Sequence, residues 1–202
     1  MNFKSYCLSL ITPMSELKIE TWTKAGYELL ATEGLSGIKI ERLARILSLN
    51  KSGFYYYFGT MEGFLKNVFQ YHVRMAGAVA TEIVRCETID PDLLLLIIRH
   101  RTFFLVESQL LVKSSHAHAD HDVDEAGKII TKELISLWRR TGDVPEEETV
   151  VYAYFNIIRH FFYARIDPDN INYKFLHGLA AETKEVLKKM PANRHVSSRD
   201  AD

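Results

Sequence analysis

Apolar residues recur along most of this chain at the three- and four-residue spacing of amphipathic helices. In the first such segment, Ile19, Trp22 and Leu29 share one face, and Gly34 is suited to end the helix. Neither an internal repeat nor a convincing pair of strands interrupts the pattern. The sequence therefore predicts an all-α fold.

Two short helices follow, separated by the polar break "SLN". The first is predicted over about Lys39 to Leu47 and the second over about Lys51 to Tyr57. Thr60 is suited to cap a fourth helix, and a fifth, strongly apolar helix is predicted from Pro91 to about Val112. After the polar stretch "KSSHAHADHDVDEAG", the pattern predicts three more helices and then a polar tail.

The two short helices have the arrangement of a helix-turn-helix, in which the second helix enters the major groove of DNA. Phe54 and Phe58 stand four residues apart, and we predict that they pack against Trp22 and the first short helix. The side chains left to face a duplex offer an ammonium group and hydroxyls for phosphates and base edges. The alternative is that the whole aromatic run is core, and for Tyr56 that alternative is packing against the fourth helix.

Residues 15 to 65 resemble the N-terminal DNA-binding domain of the TetR family of transcriptional regulators. The resemblance is carried by Leu30 and Gly34, Leu43 and Ala44, Leu49 to Lys51, Phe54 to Phe58, and Glu62 and Leu65. The chain departs from the family pattern at the turn glycine (here Ser48), the second-helix cap (Lys39), the histidine of the aromatic run (Tyr57) and the lysine that opens the fourth helix (Met61). We therefore expect binding to depend more on Lys39, Lys51 and the tyrosines.

The resemblance implies a DNA-binding domain over residues 15–60, a helical effector-binding and dimerisation domain over 61–190, and a polar tail over 191–202. It implies a ligand-responsive repressor that binds a palindromic double-stranded operator as a homodimer and is released by a small-molecule effector. The expected DNA-binding residues are Lys39, Asn50, Lys51, Ser52, Gly53, Tyr55, Tyr56 and Tyr57.

The fifth predicted helix is apolar almost all round, so we expect it to run through the middle of the second domain, where cavities between helices form. An effector with a flat or amphipathic body would suit aromatic walls, with a cationic or hydrogen-bonding end near Glu107. The alternative is a core packed solid. The expected lining is His100, Phe103, Phe104, Glu107, Trp138, Tyr154 and His160.

The last two long helices are expected to form a four-helix interface with their copies in a partner chain. The alternative is that their apolar faces pack only within one chain. The expected interface residues are Tyr152, Phe155, Phe162, Phe175 and Leu179.

Composition limits the possible binding partners and the cellular compartment of the protein. The formal net charge of -1 excludes a uniformly basic nucleic-acid binder but allows a local basic patch. Two cysteines, Cys7 and Cys86, are too few for a disulfide framework and favour a reducing compartment. Charged residues interrupt the longest apolar stretch, and the N terminus makes a poor signal peptide. We therefore expect a cytoplasmic protein with no membrane partner.

The alternative function is a helical metal-binding or enzymatic protein that uses the segment from His116 to Asp124. Its candidate ligands are His116, His118, Asp120, His121, Asp122 and Asp124. Neither a cysteine nor an apolar frame supports them, so we favour a solvated loop. His100 and Glu107 could form an acid–base pair, but no hydrolase, nucleotide-binding or dinucleotide motif accompanies them. We assign no catalytic residue, metal or cofactor.

Overall fold

The computed structural model describes residues 14–113, 121–142 and 144–189. Within those ranges the chain consists of helices and turns without a strand, which confirms the all-α prediction. The α-helices are α1 (Met14–Glu33), α2 (Ile40–Leu47), α3 (Lys51–Phe58), α4 (Met61–Ile83), α5 (Leu94–Arg99), α6 (Arg101–Ser108), α7 (His121–Thr141), α8 (Glu148–Tyr163) and α9 (Tyr173–Lys189).

The three helices α1 to α3, here called the head, pack around a cluster of aromatic rings. The Phe54 ring is fully buried and meets Trp22 edge-on, with 5.5 Å between ring centroids. Phe58 and Phe64 complete the cluster at centroid distances of 5.0 to 5.2 Å from one another and from Phe54. The prediction that Phe54 packs against Trp22 is confirmed, and this packing fixes the angle of α3 on the head.

The turn between α2 and α3 is made by Ser48, which adopts the left-handed conformation with φ 54° and ψ 39°. The Leu49 N–H then donates to the Ala44 carbonyl at 2.9 Å, which ends α2. The Asn50 side chain caps the next helix by accepting the Ser52 N–H at 3.0 Å. An ordinary residue therefore makes the turn where a glycine would do so at lower conformational cost.

The remaining helices, α4 to α9, are here called the body. Its long first helix, α4, begins at the predicted cap, where the Thr60 hydroxyl accepts the Gly63 N–H at 3.1 Å. Within the body α4 packs along α7, while α1 of the head packs against both α4 and α6. One hydrophobic core therefore runs from the head into the body.

The predicted single helix from Pro91 to Val112 is wrong in one respect, because the backbone leaves the helical region at His100 (φ -102°, ψ 31°). Wide turns at Ile89–Leu93 and Gln109–Lys113 flank the two short helices α5 and α6 on either side of that break. The His100 ring reaches across to α4, where its Nε2 lies 2.9 Å from Glu82 Oε1. Because α5 and α6 are separate segments, they can present different faces to the body and to the head.

Candidate nucleic-acid interface

Helix α3 divides its aromatic residues between the core and the surface. Tyr55 is 54% exposed and Tyr56 is 79% exposed, whereas Phe54 and Phe58 are buried. Packing of Tyr56 against α4 is therefore excluded, and this tyrosine projects furthest from the head. Tyr57 is half-buried and packs against the core, so its ring is less available than the sequence predicted.

The charged residues beside α3 form a small ion-pair system. Lys51 Nζ lies 2.9 Å from Glu41 Oε1, and both side chains are exposed. The hydrogen bond from Lys51 holds the pKa of the Glu41 carboxyl below its ordinary value. In the free protein this lysine therefore already has an anionic partner, which a DNA phosphate would have to replace.

A basic edge lies at the start of α2. Lys39 is exposed and makes no side-chain cap, so its ammonium group is available to solvent. Arg45 is exposed nearby, and Arg42 makes a two-pronged contact with Glu33. Among the residues that the structure describes, neither Lys39 nor Arg45 has an ion-pair partner. Arg45 was missed at the sequence level, although its three-residue spacing from Arg42 was visible.

The N-terminal end of α3 is small and exposed. Ser52 is exposed, and a Cβ on Gly53 would meet only the Tyr57 ring at 3.9 Å, an ordinary contact. Internal packing therefore does not require a glycine at this position. Because Gly53 has no side chain, a molecule outside the head can approach the α3 backbone closely at this position.

A family model for bacterial regulatory proteins of the tetR family matches residues 23–68. The matched range begins within α1, contains the turn at Ser48 and the whole of α3, and ends within α4. The chain therefore carries a DNA-binding domain of the TetR type. None of the curated proteins compared with it matches. Among the helices in the described part of the chain, none has the length and apolarity needed to cross a bilayer.

The body contains a large cleft of about 1860 Å³ between α5, α7, α8 and α9. Of the seven residues expected to line a pocket, Phe104, Trp138 and Tyr154 do so. Leu94, Ile97, Leu137 and Leu176 add aliphatic walls that the sequence did not single out.

The other four expected lining residues do not border the cleft. His100 bonds to Glu82 of α4, and His160 is exposed on the outer side of α8. Phe103 and Glu107 lie on the face of α6 that meets α4, where Phe103 stacks on His72. Phe103 precedes Phe104 by about 100° around α6, and this rotation turns its ring toward α4 and away from the cleft.

A buried polar network joins the head to the body. The Tyr27 hydroxyl lies 2.8 Å from His72 Nδ1, and His72 Nε2 lies 2.8 Å from Glu107 Oε1. His72, Glu107 and Tyr163 are all buried, and Tyr163 lies close enough to Glu107 for the carboxylate charge to act on its hydroxyl. Burial, and then the negative charge of Glu107, raise the pKa of Tyr27 and Tyr163 well above the ordinary value.

The raised pKa values keep both tyrosines protonated, so each can act as a donor. Tyr27 can therefore donate to Nδ1 of His72, and the Nε2–H of His72 can donate to the Glu107 carboxylate. Sequence reasoning missed His72 and Tyr27, because the partners lie 35 and 45 residues apart along the chain. No local pattern reports such a pairing.

The residues expected at a dimer interface are divided between the surface and the interior. Tyr152 is exposed, and Phe162 and Phe175 are half-buried. The expectation for Phe155 and Leu179 is corrected, because both are buried within the protomer and line the cleft. Helix α8 is apolar on more than one face, and the face with Phe155 packs on Ile135 of α7.

The histidine- and aspartate-rich segment lies largely outside the described residues. His116, His118 and Asp120 fall outside them, as do the side chains of His121 and Asp122, while Asp124 is exposed. Within the described ranges, no group of three or more histidine, cysteine, aspartate or glutamate side chains is placed to hold a metal ion.

Proposed function

We propose that this protein is a ligand-responsive repressor that binds a palindromic operator as a homodimer. A small molecule in the cleft of the body would release it from DNA. The observation that carries this proposal is the double role of α6, which borders the cleft at Phe104 and joins the network that reaches Tyr27 of the head at Glu107.

On the DNA side, α3 supports the proposal through the exposed tyrosines and Ser52 near its start. A helix of eight residues is about 12 Å long, which suits the width of the major groove. Lys39 and Arg45 would contact phosphates, while Asn50 contributes by capping α3 rather than by direct contact. The proposed surface is Lys39, Arg45, Asn50, Lys51, Ser52, Gly53, Tyr55, Tyr56 and Tyr57.

On the effector side, the coupling is a population shift between two arrangements of the body. A ligand changes operator affinity only if it binds the two arrangements unequally. A ligand in the cleft would displace the Phe104 side of α6. Because Thr102 and Gln109 at the two ends of α6 contact Glu28 and Ala31 of α1, such a displacement would also move the head.

For assembly, we propose that the outer faces of α8 and α9 form the two-fold interface. Tyr152, Ile157 and Val186 are large apolar side chains exposed on these helices. Tyr152 was expected from sequence, whereas Ile157 and Val186 take the place of Phe155 and Leu179 because the inner faces of α8 and α9 are used within the protomer. Placing a charge in such an interface should prevent dimerisation.

Light scattering at micromolar concentration tests the interface. Ile157→Glu should convert a dimer into a monomer, whereas Leu95→Glu, at an equally exposed apolar position on α5, should not. The matched pair separates loss of an interface from a general effect of a surface charge. A wild-type monomer at that concentration would refute the dimer.

Operator binding is tested by fluorescence anisotropy with duplexes from the region upstream of the gene. Lys51→Ala should weaken binding and lower the salt slope by about one, because one phosphate contact is lost. Tyr55→Phe should also weaken binding through loss of a hydroxyl donor. The control is Lys24→Ala, which removes a similarly exposed lysine that pairs with Glu20 on α1. Unchanged affinity in both α3 variants would remove the case for this helix as the reader.

A further inference from the structure

Two cations without an anionic partner among the described residues line the cleft: Lys184, which is exposed to solvent, and Arg159, which is half-buried. Arg159 of α8 lines the cleft beside Phe155 and Phe162, and its side chain is half-buried. Its Nε is buried and has no hydrogen-bond acceptor. One terminal nitrogen reaches only Thr131 Oγ1 of α7, at 3.4 Å. Across the described ranges, no carboxylate lies within ion-pair distance of this guanidinium.

The buried Nε–H of Arg159 therefore needs a hydrogen-bond acceptor that the described residues do not supply. A guanidinium remains charged at any physiological pH, so it cannot relieve the cost of desolvation by losing its proton. A buried donor that lacks an acceptor costs about 1 to 3 kcal/mol, and more when the group is charged. Two other arginines of the body, Arg99 and Arg165, each pair with a glutamate. Arg159 is set apart from them by facing the cleft.

The other residues that line the cleft indicate the chemical character of the rest of the ligand. Around Arg159 its walls are hydrocarbon, from Leu94, Ile97, Phe104 and Leu137. A volume of about 1860 Å³ exceeds the 300 to 1000 Å³ or so of an ordinary small-molecule pocket, which leaves room for an extended apolar body.

The acidic residues of the cleft lie at its mouth and do not neutralise Arg159. Asp90, Glu146 and Glu147 line the cleft and are exposed. Asp90 already accepts hydrogen bonds from Tyr173, at 2.6 Å, and from His177. An acidic mouth disfavours a second negative charge on a ligand that extends outward past it.

We infer that the cleft binds an amphipathic monocarboxylate, with its carboxylate on Arg159 and an apolar body along the hydrocarbon walls. The inference rests on the proposed function in taking this molecule as the effector. A planar guanidinium offers parallel N–H donors to the two oxygens of a carboxylate. This carboxylate takes the place of the cationic or hydrogen-bonding end expected near Glu107, because Glu107 contacts His72 and does not border the cleft.

The binding test uses the whole chain without DNA and three probes of equal length: dodecanoate, methyl dodecanoate and dodecylammonium, each below its micellar concentration. Isothermal titration should give at least tenfold tighter binding for dodecanoate than for its methyl ester, and the weakest binding for the ammonium. The ester has the same apolar body without the charge, so this comparison needs no variant. Equal binding of acid and ester, or tighter binding of the ammonium, would overturn the inference.

Variants then assign the effect to Arg159. Arg159→Gln should lose about tenfold or more in dodecanoate affinity while its weak affinity for the ester stays the same. Arg165→Gln, in the turn just after α8, removes an arginine that is exposed and paired with Glu182, and should leave both affinities unchanged. Arg159→Lys keeps the charge without the planar fork and should fall between wild type and Arg159→Gln. An Arg159→Gln protein that folds and binds dodecanoate like wild type would overturn the assignment.

Release from DNA is measured separately by anisotropy on an operator duplex. If dodecanoate binds through Arg159 and releases the DNA, both the site and its regulatory role are supported. If it binds through Arg159 and leaves the DNA complex intact, the site is supported and the effector role is overturned. If an unrelated apolar compound releases the DNA while carboxylates do not bind, the proposed function survives and this inference fails.

Discussion

The interiors of the head and of the body are built on opposite principles. The core of the head consists of uncharged aromatic side chains. Trp22 and Phe54 are fully buried against each other, and the buried ring of Phe64, at the start of α4, packs against Phe54. The body buries a histidine–glutamate pair and surrounds a cleft. A filled aromatic core has one good packing arrangement, whereas a core with a cleft and a polar network has room for a second. The proposed reading surface therefore rests on a filled core, whereas the proposed effector cleft lies in the part of the protein that has room to rearrange.

An exposed ion pair of the head and a buried histidine–glutamate contact of the body show the same contrast. Lys51 and Glu41 on the head are exposed, so water can replace either partner at little cost. His72 and Glu107 between head and body are shielded from water, so neither can be released cheaply. Exchangeable pairs suit a surface that must bind and leave DNA. A shielded pair suits a joint that must hold its geometry in each arrangement.

The largest effect is expected at this shielded pair. Glu107→Ala should lower the free energy of unfolding by about 3 to 5 kcal/mol, because it leaves the buried Nε2–H of His72 without its acceptor and empties a fully buried site. Urea denaturation followed by circular dichroism measures the change.

Glu82→Ala is the matched control for that prediction. It removes another glutamate that contacts a histidine ring nitrogen, His100 Nε2 at 2.9 Å, but at a half-exposed site. The loss there should be about 1 kcal/mol or less. Similar losses in both variants would show that burial does not distinguish the body's network from its surface pairs.

The next effect tests whether the head core is filled. A Cβ on Gly26 of α1 would lie 2.4 Å from Phe64 Cζ, and Phe64 is fully buried. Gly26→Ala should therefore destabilise the protein by about 1 to 3 kcal/mol through overpacking. The control Gly178→Ala on α9 has no atom within 4 Å of its new Cβ and should be neutral or stabilising by up to about 1 kcal/mol. Thermal unfolding of both variants gives the comparison, and a tolerated Gly26→Ala would contradict a rigid head.

The smallest effect concerns the turn of the head. Ser48→Gly should stabilise the protein by about 0.5 to 1 kcal/mol, because glycine adopts the left-handed conformation without a Cβ clash. The opposite change, Gly59→Ala at φ 68°, should be destabilising by a similar amount although its Cβ has free space. If both variants leave the melting temperature unchanged, backbone conformation does not limit the stability of the head.

The head could largely be predicted from sequence because its determinants are local. Phe54 and Phe58 are one helical turn apart, Thr60 caps its own helix, and Ser48 occupies a turn set by its neighbours. Such spacings report directly on helix faces and ends. The partial burial of Tyr57 was missed, because a short helix crosses the core boundary within one turn.

The body could be predicted only in outline because its determinants are distant in sequence. The His72–Glu107 contact joins residues 35 apart, and the helix break at His100 has neither a glycine nor a proline to announce it. In the sequence, Arg159 is one charged residue of an amphipathic helix like many others. Only the packing of α8 against α7 shows that it lines the cleft. Facing directions in a bundle depend on how helices rotate against one another, and periodicity alone leaves that rotation open.

The length of α4 has a mechanical consequence. Its 23 residues, at 1.5 Å each, form a rod about 35 Å long with one end at the head and the other deep in the body. A tilt of about 5° about the body end would carry the Thr60 end sideways by about 3 Å, roughly a quarter of the width of the major groove. Under the proposed function, the rod would act as a lever arm that amplifies a small rearrangement of the body into a misfit at α3.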